Sequence, residues 1–452
     1  MQFLIIGGSD AGISAALRAR EVASSAQITV VLADDFPNYS VCGLPFYVSG
    51  ETSEVRQLAH RTEFEGISLL QNHRAHTIDA ASRTVSVTAA GSVKTLSYDG
   101  LLIATGARPV RPNIPGTTLP GVHLLHTIDD GVRLRDHLDA SKPRSAIIVG
   151  SGYLGLEMSD ALVYRGINVT LMGRSQTVLP TVDAALGRLV ESTLREHGVR
   201  VESNAAVHSI VEDSRRLRVE SQRTTASADV VIIAAGVQPN SEIGAACGIR
   251  TGPKGALCVN RRMETDVAGI FAAGDCAETW HRLLQRHTYL PLGTTSHKQG
   301  RVAGENAVGG CREFEGSLGT QVVKVFDLVI ARTGLCDVGA REASFDPLTV
   351  ESRHFDHKAY YPGARRVCVR LTGDRRTSRL LGAQILGPRQ AEVSKRVDIY
   401  ATALYHGMTI EALNDLDLSY TPPLGSPWDA VQMAAQAWSQ IAKSEGPTQA
   451  RK

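Results

Sequence analysis

Several absences narrow the reading before any motif is considered. The seven cysteines, at positions 42, 247, 258, 276, 311, 336 and 368, are odd in number and contain no Cys-x-x-Cys pair. A disulfide scaffold or a structural zinc site is therefore not expected, no metal is expected, and the thiols fit a reducing compartment, the cytoplasm. Net charge is only +2 and no long run of Lys or Arg occurs, so nucleic acid is not a natural partner. The apolar run at 229–237 is too short to span a bilayer. Residues 1–16 lack a basic leader and a small-residue cleavage site. Asp10 and the glycines around it read instead as a strand and turn.

What is present is a repeat. A chain of 452 residues exceeds one hydrophobic core, so two or three domains are expected. The stretch Phe3–Ile6 reads as a buried strand. It runs into Gly7-Gly8-Ser9-Asp10-Ala11-Gly12, a helix over 13–22, and a second strand, Ile28–Leu32, ending at Asp34 and Asp35. The plan recurs at Ala146–Val149, Gly150-Ser151-Gly152-Tyr153-Leu154-Gly155, a helix, and Val169–Met172. Each copy later reaches a similar closing strand, Leu102–Pro109 and Ile232–Pro239, which carry Thr105, Gly106 and Arg108 in the first and Gly236 in the second. Two nucleotide-binding βαβ units in one α/β chain is the reading. After residue 320 the pattern changes. Strands are expected at 321–331, 366–372 and 379–386, and helices at 389–406 and 427–443, which describes a separate α+β domain.

A strand–glycine–helix turn aims backbone N–H groups and a helix N-terminus at a pyrophosphate. In the first copy Gly7 permits the tight turn and Gly12 the close helix–strand approach, while Ser9 replaces the usual middle glycine. Asp34 falls where a carboxylate accepts from ribose hydroxyls, with Asp35 in reserve. The second loop, with Gly150, Gly152 and Gly155, is complete. Its second strand ends in Gly173-Arg174 and not in an acid, which leaves room and positive charge for a 2′-phosphate. NADPH is therefore expected ahead of NADH. A third signal, Gly269–Asp275, ends an apolar strand in Gly-Asp and places the Asp275 carboxylate beside the polyol chain of a bound FAD.

Longer segments now match in order: SVCGLPFY at 40–47, PLGTTSHKQGR at 291–301, VKVFD at 323–327, YYPG at 360–363 and DLDLSYTPP at 415–423. With them the chain resembles the pyridine nucleotide-disulfide oxidoreductases over nearly its whole length. Within that family it is similar to the single-cysteine branch: coenzyme A-disulfide reductases, NADH oxidases and peroxidases, and polysulfide or persulfide reductases. The resemblance implies an FAD domain over 1–110 and 243–320, an NAD(P) domain over 111–242 and a C-terminal dimerisation domain over 321–445. FAD and NADPH (or NADH) are the implied cofactors, and a homodimer the implied assembly.

The resemblance also assigns a redox role to Cys42. Two-cysteine relatives carry a second cysteine five positions on, whereas here Cys42 stands alone and must cycle as a mixed disulfide, a persulfide or a sulfenic acid. A helix following Cys42 is expected to favour its thiolate. Tyr361 and Tyr420 match two tyrosines that, in the coenzyme A-disulfide reductases, approach the sulfur from the neighbouring subunit. Those reductases tend to carry a basic residue where Glu21 stands, asparagine where Val41 stands and a basic residue where Trp428 stands. These departures weigh against coenzyme A as the acceptor, although Arg18 and Arg20 could reach phosphates. The implied reaction is NAD(P)H-dependent reduction of a small disulfide, persulfide or polysulfide. An NAD(P)H oxidase or peroxidase cycling through a sulfenate, and a reductase passing electrons to a protein partner, are the alternatives.

Overall fold

The computed structural model describes residues 1–445. The first unit is β1 (Gln2–Ile6), α1 (Asp10–Val22) and β2 (Gln27–Val31). Four of the five β1 residues are buried, as a strand covered on both faces of a parallel sheet must be. Its sheet runs Ile270–Ala272, Gly100–Ile103, β1, β2, Ile67–Leu70, all parallel. The second sheet runs Val122–Leu124, Val230–Ile233, Ser145–Val149, Asn168–Met172, Arg200–Glu202, again all parallel. In both sheets the strand feeding the glycine loop is central, flanked by its second βαβ strand on one side and the closing strand on the other. The outermost strand comes late in the chain in the first sheet and early in the second.

Each closing segment proves to be two strands, not one. Gly100–Ile103 is followed by a turn and then Ala107–Pro109, and Val230–Ile233 by a turn and then Val237–Pro239. Gly106 (φ +66°) and Gly236 (φ +103°) occupy the turns in a left-handed conformation that breaks an extended run. The two short strands then pair with each other antiparallel, so the chain crosses between the units side by side.

The third five-stranded sheet is antiparallel: Gln321–Val325, Leu328–Gly334, Leu380–Pro388, Arg366–Asp374, Pro347–Phe355. The expected single strand at 321–331 is a hairpin turning at Phe326 (φ +55°) and Asp327. The edge strand Pro347–Phe355 carries Glu351, Arg353 and His354, which hid its apolar alternation from a sequence reading. Helices Val393–Tyr405 and Ala430–Glu445 complete this part. Trp438, fully buried, donates its indole N–H to the Leu348 carbonyl at 2.8 Å. Among the described residues, no helix is long and apolar enough to cross a membrane.

One crossing positions the functional region. The helix Gly293–Ala307 lies on α1 so closely that a Cβ on Gly300 would overlap the Ala11 carbonyl, and one on Gly304 the Ala15 carbonyl. Two helix backbones in contact leave no room for even a methyl group. Gly300→Ala or Gly304→Ala should each lower stability by about 1–3 kcal/mol, the usual cost of overpacking. The drop should be read as an earlier midpoint in urea unfolding.

Candidate active site

The two glycine loops are built alike. A Cβ on Gly7 (φ +118°) would overlap the Ala104 carbonyl, and one on Gly12 the Gly7 carbonyl. In the second copy a Cβ on Gly150 (φ +123°) would overlap the Ala234 carbonyl, and one on Gly155 the Gly150 carbonyl. Gly152 faces open space, and Gly173 is closed off by the Ser151 side chain. Just beyond, Arg174 is exposed with no ion-pair or hydrogen-bond partner among the described residues.

Around the first loop lies a cleft of about 810 Å³, lined among others by Gly7, Asp34, Thr105, Gly106, Gly274 and Asp275. Asp34 Oδ1 accepts from the Phe36 N–H at 2.9 Å. Its neighbour Asp35 is off the lining and tied to Asn72. Thr105 donates its hydroxyl to the Asn240 carbonyl at 2.5 Å, and the Asn240 amide answers to the Thr105 carbonyl at 3.0 Å. Ser296 donates to Asp275 Oδ1 at 3.0 Å, while burial pushes the Asp275 carboxyl up to about 6. Gly12 is off the lining, against the Gly7 carbonyl. Arg108 lies behind the wall, donating to Asn240 Oδ1 at 3.0 Å and paired with Glu242 at 2.5 Å. Gly236 lies at the crossing strands and accepts from the Val110 N–H at 2.8 Å.

Cys42 sits at the rim of this cleft, beside the lining residue Val41, in a single turn of 3₁₀ helix (Val41–Gly43). It is free, and its side chain keeps solvent contact on one side. The helix that follows, α2 (Leu44–Ser49), is six residues long. Packing on the remaining sides raises the thiol pKa, and the Asp10, Glu157 and Asp275 carboxylates raise it further. Glu157, on the helix Tyr153–Tyr164, is itself pushed up to about 7 by burial, with Lys324 pulling it back and Asp160 adding to the push. Cys276 is fully buried with its S–H toward the Ile103 and Ala273 carbonyls, packed as a small core residue.

Tyr361 and Tyr420 lie elsewhere, in the last part of the chain, 42% and 43% exposed. Tyr361 rests edge-on against His357, which in turn contacts Asp356. The phenol that interacts with Tyr420 belongs to Tyr360, which is 74% exposed. The Lys358 N–H donates to the Pro422 carbonyl at 3.3 Å, joining the two tyrosine-bearing loops. Leu424 and Trp428 extend the exposed apolar surface.

Residues 1–300 match the family described as pyridine nucleotide-disulphide oxidoreductase, and residues 320–431 match its dimerisation domain. The chain belongs to the pyridine nucleotide-disulphide oxidoreductase family. It is 35% identical to the coenzyme A-dependent NAD(P)H sulfur oxidoreductase of Pyrococcus furiosus, over 96% of this chain and 98% of that one. It is 36% identical to the NAD-dependent persulfide reductase of A. fulgidus, with a TM-score of 0.94 over 99% and 84% of the two chains. An engineered NADPH oxidase, derived from the water-forming NADH oxidase of Lactobacillus brevis and solved with NADPH bound, is 25% identical. Its TM-score is 0.94 over 98% and 100% of the two chains. Members of this family are FAD enzymes. The cleft fits that cofactor: the glycine loop gives its phosphates bare backbone, Asp34 stands at the end of β2, and Ser296 holds Asp275 at the inner wall.

Sequence reasoning missed four groups that the structure brings to this region: Asp10, Asn240 and Ser296 on the lining, and Glu157 within electrostatic reach of Cys42. Asp10 and Ser296 stood inside segments that had been singled out, but only the packing of α1 on the 293–307 helix shows that they converge.

Proposed function

We propose that this protein is an FAD-dependent NAD(P)H oxidoreductase that reduces a low-molecular-weight disulfide, persulfide or polysulfide through Cys42. The observation that carries the reading is the place of Cys42, solvent-accessible at the rim of the FAD-type cleft with no second cysteine in its segment. The names of the sulfur oxidoreductase and persulfide reductase relatives favour the same acceptor class. FAD, when bound, supplies the electron path from NAD(P)H to sulfur. The protein's own part is to hold the nucleotides on the Gly7 and Gly150 loops, to seat Asp34 and Asp275 beside the cofactor, and to present one sulfur to the acceptor. A lone sulfur is regenerated by releasing the acceptor as a thiol or sulfide, since it has no internal partner.

The domain division is the one implied by the motifs: 1–110 with 243–320 for FAD, 111–242 for NAD(P), and 321–445 for pairing. We place the enzyme in the cytoplasm as a homodimer. The exposed surface formed by Tyr360, Tyr361, Tyr420, Leu424 and Trp428 faces a second copy there. Tyr361 and Tyr420 thereby reach the partner's sulfur as hydrogen-bond donors. NADPH is the favoured donor. The engineered oxidase carries alanine, arginine and serine at three successive positions where its NADH-using parent has aspartate, alanine and methionine. This chain reads Gly173-Arg174-Ser175, and the unpaired Arg174 is available to a 2′-phosphate.

Cys42→Ser should abolish disulfide and persulfide turnover while NADPH still bleaches the flavin in stopped flow. A variant with near-wild-type disulfide turnover would refute the role of Cys42. Arg174→Glu should raise KM for NADPH more than KM for NADH. Wild-type discrimination below about threefold, under 1 kcal/mol, would instead align this chain with the relative named as NAD-dependent.

A further inference from the structure

A second cleft, of about 520 Å³, shares no lining residue with the one that fits FAD. Its volume lies within the usual range for a small-molecule site. One wall is the start of the helix Ala184–Glu196, within the stretch 1–300. The other is drawn from residues 337–375, within the dimerisation stretch 320–431. Four arginines line the cleft, Arg188, Arg341, Arg370 and Arg375, against two carboxylates, Asp183 and Asp337.

Those carboxylates take up only part of the donor set. Asp183 accepts from Arg370 Nε at 2.9 Å, and Arg370 also donates to Glu351 at 3.0 Å. Asp337 accepts from Nε and Nη2 of Arg341 at 2.9 and 3.2 Å. A guanidinium carries five N–H donors, and Nη1 of Arg341 makes no bond among the described residues, on a side chain 63% exposed. Arg188 is exposed with no ion-pair or hydrogen-bond partner among the described residues. Backbone donors add to these. The Asp183 side chain makes no capping bond to the helix it precedes, and Gln384 Oε1 accepts from the Asp183 N–H at 2.7 Å. The next two residues, Ala184 and Ala185, stand on the lining with N–H groups for which a helix has no acceptor of its own.

We propose that this cleft binds a phosphate-bearing anion, held by Arg188 and Arg341 from opposite walls and by the first turn of the Ala184–Glu196 helix. Arginine meets phosphate oxygens with two donors at a time, and a helix N-terminus favours a negative charge. Val338, Pro347 and Leu348 border the arginines and give an organic part an apolar surface to lie on. An anion bound there ties the 1–300 stretch to the dimerisation stretch, away from the cleft that Cys42 borders. The charges are exposed, so affinity falls as salt rises.

Inorganic pyrophosphate and a nucleoside diphosphate offer the same phosphate chemistry, and calorimetric titration of the FAD-loaded enzyme with each tests the proposal. With NADP⁺ just saturating the Gly150 loop, one pyrophosphate should bind per chain. Arg188→Glu and Arg341→Gln should each weaken that binding about tenfold or more, the scale of a lost charge-assisted contact. NADPH turnover without added anion should be unchanged in both. Arg223→Glu reverses an exposed arginine off both clefts and should leave pyrophosphate binding within about twofold. ADP separates the sources: tighter binding than pyrophosphate assigns the ligand an organic part, and weaker binding an inorganic one. Arg188→Glu carries the test if Arg341→Gln fails to fold, because the Arg188 side chain makes no bond that the fold would lose. No saturable binding at millimolar pyrophosphate, or a loss in Arg188→Glu no larger than in Arg223→Glu, overturns the proposal.

Discussion

The site depends on how closely backbone can approach backbone around the start of α1. Gly7 meets the Ala104 carbonyl, Gly12 meets the Gly7 carbonyl, and Gly300 and Gly304 meet the carbonyls of Ala11 and Ala15. At each point a hydrogen fits and a methyl group does not. The first helical turn is thereby located from below by the strands and from outside by a second helix. The consequences are chemical as well as architectural. The loop N–H groups are bared toward the cleft, and the residue opening α1, Asp10, is set on its lining. The second glycine loop repeats two of these contacts, and its helix, Tyr153–Tyr164, packs instead on α2 and on the strand Gln321–Val325.

Burial, then the Asp10, Glu157 and Asp275 carboxylates, raise the Cys42 thiol pKa. A sulfur in that setting is a stronger nucleophile once deprotonated and a poorer leaving group, because nucleophilicity rises with pKa.

The parallel sheets, both glycine loops and the changed pattern after residue 320 were legible because each carries a local signature: buried apolar strands, glycines at fixed spacing and acids at strand ends. The breaks at Gly106 and Gly236 were hidden within apparently continuous strands, and Pro347–Phe355 was hidden by the polar side chains of an edge strand. At the site, Asp34 and Asp275, both on the cleft lining, could be named from motif and spacing, and Cys42 from the family segment around it. Asp10, Ser296 and Glu157 could not, because what brings them to this region is a crossing of segments far apart in the chain. Tyr360, beside Tyr420 where the two loops are joined at Lys358 and Pro422, carried no signal of its own in the sequence.

The central claim is that a single sulfur from one subunit works with phenols from the other, and subunit complementation tests it most directly. One inactive chain would carry Cys42→Ser with its tyrosines intact. The other would keep Cys42 but carry Tyr360→Phe, Tyr361→Phe and Tyr420→Phe. Mixed dimers contain one site with both Cys42 and an intact set of tyrosines, so disulfide reductase activity should partly return once exchange has occurred. If mass spectrometry shows mixed dimers and no activity returns, the shared-site account is contradicted.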